Sequence, residues 1–179
     1  MYRQALKIDP NHFDAGLHLA SAYLQTAAFQ NAYAVASDLY RRAPADPKAV
    51  VSLAAAQIGC GRPALALEFL DKADGLPQTM PFEVYFYKGV AHRHLNETEE
   101  AIAWYRKAEQ LKPADPPLLF NLAVALDQLG DYAQAVIYYR NYLRESKDEQ
   151  GAETRKKVVA RIRALRADLS AFPDEERTR

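Results

Sequence analysis

The fold class this sequence predicts is all-α, an α-solenoid of stacked helix–turn–helix units, and three observations carry it. The chain matches itself at a spacing of 34 residues. Small side chains recur at the same two places of each copy. All ten prolines fall at the boundaries of the stretches that have helical periodicity, as expected when a proline in a helix interior costs about 3 kcal/mol. Composition agrees. Alanine fills 32 of 179 positions, against seven glycines and ten prolines, which suits a helical protein and neither a disordered nor an all-β chain.

At the 34-residue offset, Gly89 falls on Ala123, Ala101 on Ala135 and Tyr105 on Tyr139. In the first half, Ala20 falls on Ala54, Ala32 on Ala66 and Leu39 on Ala73. One extra residue near Pro81 joins the two halves of the register. A self-match of this kind is sought before local structure, because it decides the fold.

The elements follow in chain order. Residues 1–12 read as the second helix of a truncated repeat, with Tyr2, Ala5 and Pro10 at its twenty-fourth, twenty-seventh and thirty-second places. A lone second helix has an unburied apolar face, so the chain is expected to be a fragment of a longer array, or to have this end covered by a partner. Four full units are expected at 13–46, 47–80, 82–115 and 116–149. Their eighth place reads Ala20, Ala54, Gly89, Ala123, and their twentieth Ala32, Ala66, Ala101, Ala135. Small residues there let two helix backbones approach closely. The twenty-seventh place is looser, reading Leu39, Ala73, Ala108, Tyr142. The twenty-fourth holds Leu70, Tyr105 and Tyr139, with Ala36 the exception. Pro47, Pro63 and Pro116 or Pro117 stand where a first-turn proline is tolerated, and Gly61, Asn96 and Gly130 mark tight turns that need a left-handed backbone. The longest break is 74–81. Residues 150–172 predict an amphipathic capping helix with Val158, Val159, Ile162, Leu165 and Leu169 on one face and Arg155, Lys156, Arg161, Arg163 and Arg166 mostly on the other. The charged tail 173–179 is expected to be disordered.

The pattern resembles the tetratricopeptide repeat, a 34-residue helix–turn–helix unit. The best copy, VYFYKGVAHRHLNETEEAIAWYRKAEQLKP, supplies Gly89, Ala101, Tyr105, Ala108 and Pro113 in the family's places. The next supplies Leu122, Ala123, Gly130, Tyr132, Ala135 and Tyr139. The aromatic usual at the fourth place is Tyr85 in the third copy and Leu119 in the fourth, but Gly16 and Val50 stand there in the first two. The resemblance implies a right-handed superhelix whose first helices line a concave groove. Its partner-binding positions are then Leu17, His18, Val51, Phe86, Tyr87, Val90, Arg93, His94, Phe120, Asn121, Val124 and Asp127. The second place of each unit, also a groove position, reads Asp14, Lys48, Glu83, Pro117, and the rim carries mixed charge, with Arg93, His94, Asp127 and Asn121 nearby. Chaperone-adaptor members of the family hold a terminal carboxylate with a Lys, Asn and Arg clamp. The matching places here are Leu17, Ser21, Ser52, Glu83 and Tyr87, so that clamp is not expected.

Chemistry is sought and not found. One cysteine excludes an intrachain disulfide and a thiolate zinc site. His92 and His94 lie two apart, about 200° around a helix, so they cannot share a metal. Cys60 has no readable base, and GCGRP lacks the Lys-Ser/Thr of a phosphate loop. No catalytic, cofactor-binding or metal-ligating residue is expected. Twenty-three basic against 23 acidic side chains argue against a nucleic-acid partner. No apolar run approaches a membrane span, and MYRQALKIDPN has no signal-peptide core. The expected function is a non-catalytic scaffold that holds a peptide or helical segment of a partner protein in its groove. The alternatives are a self-assembly module, forming homo-oligomers through the uncapped N-terminal end, or the targeting arm of a larger enzyme or secretion complex. Such arrays work in the cytosol and the bacterial periplasm alike.

Overall fold

The computed structural model describes residues 2, 4, 8, 9, 12–76, 80–146 and 152–171. Over residues 12–171 its helices are α1 (Phe13–Gln25), α2 (Phe29–Arg42), α3 (Pro47–Gly59), α4 (Pro63–Asp74), α5 (Pro81–His94), α6 (Thr98–Leu111), α7 (Pro116–Leu129), α8 (Tyr132–Glu145) and α9 (Ala152–Ala171), with no strand among the described residues. Most of the expected N-terminal half-repeat and the whole of the expected disordered tail lie outside the described residues, as does the middle of the 74–81 break.

Helix ends form where the sequence supplies caps. Asp46 accepts from the backbone N–H groups of Lys48 and Ala49, Asp115 from Leu118 and Asp131 from Gln134. Each satisfies donors that a helix start leaves unpaired. Prolines occupy the first turn of α3, α4, α5 and α7. The turns within helix pairs carry positive φ at Ala27 (55°), Gly61 (74°), Asn96 (62°) and Gly130 (86°). All four stand at the same place of the 34-residue register. Ala27 was not foreseen, because alanine is not a residue that signals a left-handed turn.

The chain divides into two compact units, Met1–Glu97 and Thr98–Arg179. In the first, α1 pairs with α2 and α3 with α4, α2 packs on α3 and α4 on α5, and the first helices α1, α3 and α5 contact one another in succession. Ala20, Ala54, Ala32 and Ala66 are completely buried at the nesting places. The fourth-place departure Gly16 has a packing reason. A Cβ there would lie 2.8 Å from Leu39 Cδ2, so the large residue at the twenty-seventh place fills the room that an aromatic at the fourth would take. Lys88 is a further departure. It is buried, at 4% exposure, in a register place that holds Leu19, Leu53 and Leu122 in the other copies. Its ammonium lies 2.9 Å from Asp71 and 3.4 Å from Asp74 on α4, the pairing that a buried cation requires.

In the second unit, α6 packs on α7, α7 on α8 and α8 on α9. Ala101, Ala123 and Ala135 are fully buried, and Tyr105 is the largest fully buried side chain. Val158, Ile162 and Leu165 bury the inner face of α9. Two of its basic residues bind groups on other helices. Arg155 donates to the Leu143 and Ser146 carbonyls and to Ser146 Oγ, closing the C-terminal end of α8. Arg161 reaches back to α7.

Candidate functional site

In the first unit, α1, α3 and α5 line an open cavity of about 270 Å³. Its walls are Leu17, His18, Ser21 and Leu24 from α1, Lys48, Val51, Ser52 and Ala55 from α3, and Glu83 and Tyr87 from α5, with Met80 just before that helix. The floor is apolar and the polar groups stand around it. Of the positions expected in the groove, Leu17, His18, Val51 and Tyr87 come together here. Tyr87 and Val90 also rest against the buried cluster of Val51, Ala54, Ile58 and Val84, so each ring or branched chain is half wall and half core. His18 stacks on Tyr2 with centroids 5.3 Å apart. Phe86 lies 6.2 Å from Phe82, stacked, and 5.2 Å edge-on to Tyr87. Arg93 is half-buried with its Nε enclosed and without a hydrogen-bond partner. Burial and then the neighbouring Arg93 charge hold the His94 pKa below its usual value, since both penalise the imidazolium.

In the second unit the expected groove residues are engaged within the fold. Tyr105 donates its hydroxyl to Asn121 Oδ1 at 3.5 Å, and Asn121 Nδ2 donates to the Pro117 carbonyl at 2.8 Å. Phe120 packs against the Tyr139 and Tyr142 rings at 6.3 and 5.3 Å. Asp127 is gripped twice. Arg161 donates to both its oxygens, at 2.8 and 2.7 Å, and Tyr139 donates to Oδ2 at 3.2 Å. Burial, and then the Asp127 carboxylate, push the Tyr139 pKa up. The Asp127 hydrogen bond raises that of Arg161. Arg161 lies 34 residues after Asp127, so α9 stands in the register of the next first helix. Val124 is half-buried. Nothing in the sequence pattern alone revealed this clasp, because it needs a helix outside the four-unit register.

The reactive side chains stay apart. His92 Nδ1 meets Glu97 Oε2 at 2.7 Å, and Cys60 Sγ lies 3.5 Å from the Phe29 carbonyl. Among the described residues no group of three or more His, Cys, Asp or Glu side chains is placed to hold a metal ion, and no helix is long and apolar enough to cross a membrane.

Comparison with known proteins decides the family. Models described as tetratricopeptide repeat match residues 47–72 and 116–149, and one described as TPR repeat matches 89–130. The chain belongs to the tetratricopeptide repeat family. Cellulose synthase 2 operon protein C of Komagataeibacter xylinus is 34% identical over 126 residues, covering 67% of this chain and 10% of that protein. The chain thus spans about a tenth of that relative's length. A solved thermophilic TPR protein of Thermus thermophilus superposes with a TM-score of 0.74 at 20% identity, over 92% of this chain and 86% of that one. PilW, a type IV pilus biogenesis factor, superposes at 0.70 with 22% identity, over 98% and 84%. At such identities the likeness speaks for the fold. Tetratricopeptide repeat proteins are generally non-catalytic and act as protein–protein interaction scaffolds.

Proposed function

We propose that this repeat array is a non-catalytic docking scaffold and that the α1–α3–α5 face of the first unit takes a peptide or helical segment of a partner protein. The supporting observation is the cavity, whose apolar floor of Leu17, Leu24, Val51 and Ala55 is open to solvent beneath polar walls. Concave, largely apolar sites with a few convergent polar groups are where proteins bind ligands, and a half-exposed tyrosine such as Tyr87 is a common anchor in interfaces. In the second unit, Asn121 and Asp127 spend their polar atoms inside the fold, so docking centres on Leu17, His18, Val51 and Tyr87, with Phe86, Val90, Arg93 and His94 further along α5.

The test uses the full chain and a phage-displayed library of twelve-residue peptides. Enriched peptides bind Tyr87→Ala at least tenfold more weakly, while its melting temperature falls by only a few degrees. Ser52→Arg, which adds bulk from a half-exposed wall position, blocks binding. Peptides that bind both variants as well as the unaltered chain would overturn the assignment of this face.

A further inference from the structure

The starts of the three first helices alternate in charge, and two of these residues, Lys48 and Glu83, line the cavity. Asp14 is in the first turn of α1, Lys48 in the first turn of α3 and Glu83 in the first turn of α5. Asp14 and Lys48 form no ion pair or side-chain hydrogen bond among the described residues. Lys48 is placed against local preference, since the start of a helix disfavours a cation. The nearby Asp46 directs its Oδ1 to the backbone N–H groups of Lys48, at 2.8 Å, and Ala49, at 3.4 Å. The Lys48 ammonium therefore does nothing for the fold that the structure reveals, yet Lys48 lines the cavity. The Ser21 and Ser52 hydroxyls of the same walls also make no hydrogen bond among the described residues. That leaves a short row of polar groups able to meet the backbone of an extended chain.

From these placements we infer that the cavity binds an extended peptide in one orientation: a bulky apolar side chain seated over Leu17, Val51 and Tyr87, an acidic side chain facing Lys48, and a basic side chain facing Asp14. The inference deepens the docking reading above and rests on it. The spacing follows from geometry. Packed helices lie about 8–10 Å apart, and an extended chain advances about 3.3 Å per residue. A segment crossing the first helices then meets Asp14 and Lys48 about three residues apart, which specifies one basic and one acidic residue about three places apart beside the apolar anchor. Glu83 continues the alternation on the third helix. Such an alternation fixes the direction and register of the bound chain more than it adds affinity.

The random twelve-residue library selected on the full chain tests this, run in parallel on a charge-exchanged chain carrying Asp14→Lys with Lys48→Asp. The unaltered chain enriches peptides with a basic and an acidic residue about three places apart, in one consistent order, beside an aromatic or large aliphatic residue. The exchanged chain enriches the reversed order, and by fluorescence anisotropy it loses at least tenfold in affinity for the first set. Its melting temperature stays within a few degrees, because neither charge is paired among the described residues. If the same peptides win on both chains while still depending on Tyr87, the charge code is wrong and the docking site survives. A selection that yields no Tyr87-dependent peptide overturns the docking reading and this inference with it.

Discussion

The two units use one repeat place differently. At the twenty-fourth place the first unit carries Ala36 and Leu70, both completely buried and purely apolar. The second carries Tyr105 and Tyr139, whose hydroxyls reach Asn121 and Asp127 on α7. The same core position is thus plain packing in one unit and a hydrogen-bond tie in the other. The tie reaches through to the first-helix face and engages groups that a ligand would otherwise use. Where the second helix offers only carbon, the Ser21 and Ser52 hydroxyls of the first helices make no hydrogen bond among the described residues. Where it offers phenols, the face becomes part of the fold. Arg161 of α9 completes that closure at Asp127.

The largest effect separates packing from ties. Leu70→Ala in the first unit is expected to cost about 2–5 kcal/mol, the usual loss for emptying a buried leucine site. Tyr105→Phe in the second removes one hydroxyl and should cost about 1 kcal/mol. Urea denaturation of the two variants reads both numbers, and equal losses would erase the distinction between the units. Next in size is Asp127→Ala, at about 1–2 kcal/mol. Most of that comes from stranding the Tyr139 hydroxyl, because Arg161 is 45% exposed and a screened ion pair contributes little. A neutral result would mean that the clasp is incidental.

The turns sharpen the comparison from another side. Gly130→Ala meets no atom within 4 Å, so its cost is about 1–2 kcal/mol for a left-handed alanine, less about 0.4–1 kcal/mol gained by stiffening the unfolded chain, a net loss of roughly 0.5 kcal/mol. Ala27 in the first unit already bears that strain at φ 55°. Ala27→Gly relieves it but loosens the unfolded chain by about 0.4–1 kcal/mol, leaving a net gain of roughly 0.5 kcal/mol. Thermal melts with opposite signs at the two turns are expected, and a loss at both would contradict the strain argument.

The smallest effects near neutrality come from pH, and they act at opposite ends in the two units. His94 in the first unit has its pKa held below the usual 6.5 by burial and Arg93. The unfolded chain therefore takes up that proton first. Stability is greatest above about pH 6.5 and declines as pH falls through the folded value. In the second unit Tyr139 and Tyr138 have pKa values raised above the usual 10.0, by burial first and by Asp127 and Glu109 respectively. The unfolded chain loses those protons first, so stability declines as pH rises past about 10. Melting temperatures across pH, with His94→Asn flattening the acid limb and Tyr139→Phe the alkaline one, check both signs.

Much of the fold is legible residue by residue. Ala20, Ala54, Ala32 and Ala66 announce their nesting places because no larger side chain fits between two backbones. Gly61 and Gly130 announce their turns because φ near +80° is cheap only for glycine. Other features leave no such trace. Gly16 looks like a defect in the repeat until Leu39 is found in the vacated space. Lys88 stands where the other copies carry leucine, and only Asp71 and Asp74 beside it on another helix account for a buried cation there. Arg161 reads as the solvent side of an amphipathic helix, yet it closes on Asp127. Of the candidate site, the resemblance to the repeat family implies one face for Leu17, His18, Val51 and Tyr87, whereas the engagement of Asn121 and Asp127 depends on which neighbours carry hydroxyls and guanidinium groups.

The amino-acid order by itself determined the helices, their turns and the register of small residues, because these follow from local sterics and a fixed period. Tertiary structure alone decided which polar groups of the first helices are engaged within the fold. That outcome depends on contacts between helices distant in sequence, where a single phenol or guanidinium group satisfies a polar atom or leaves it open.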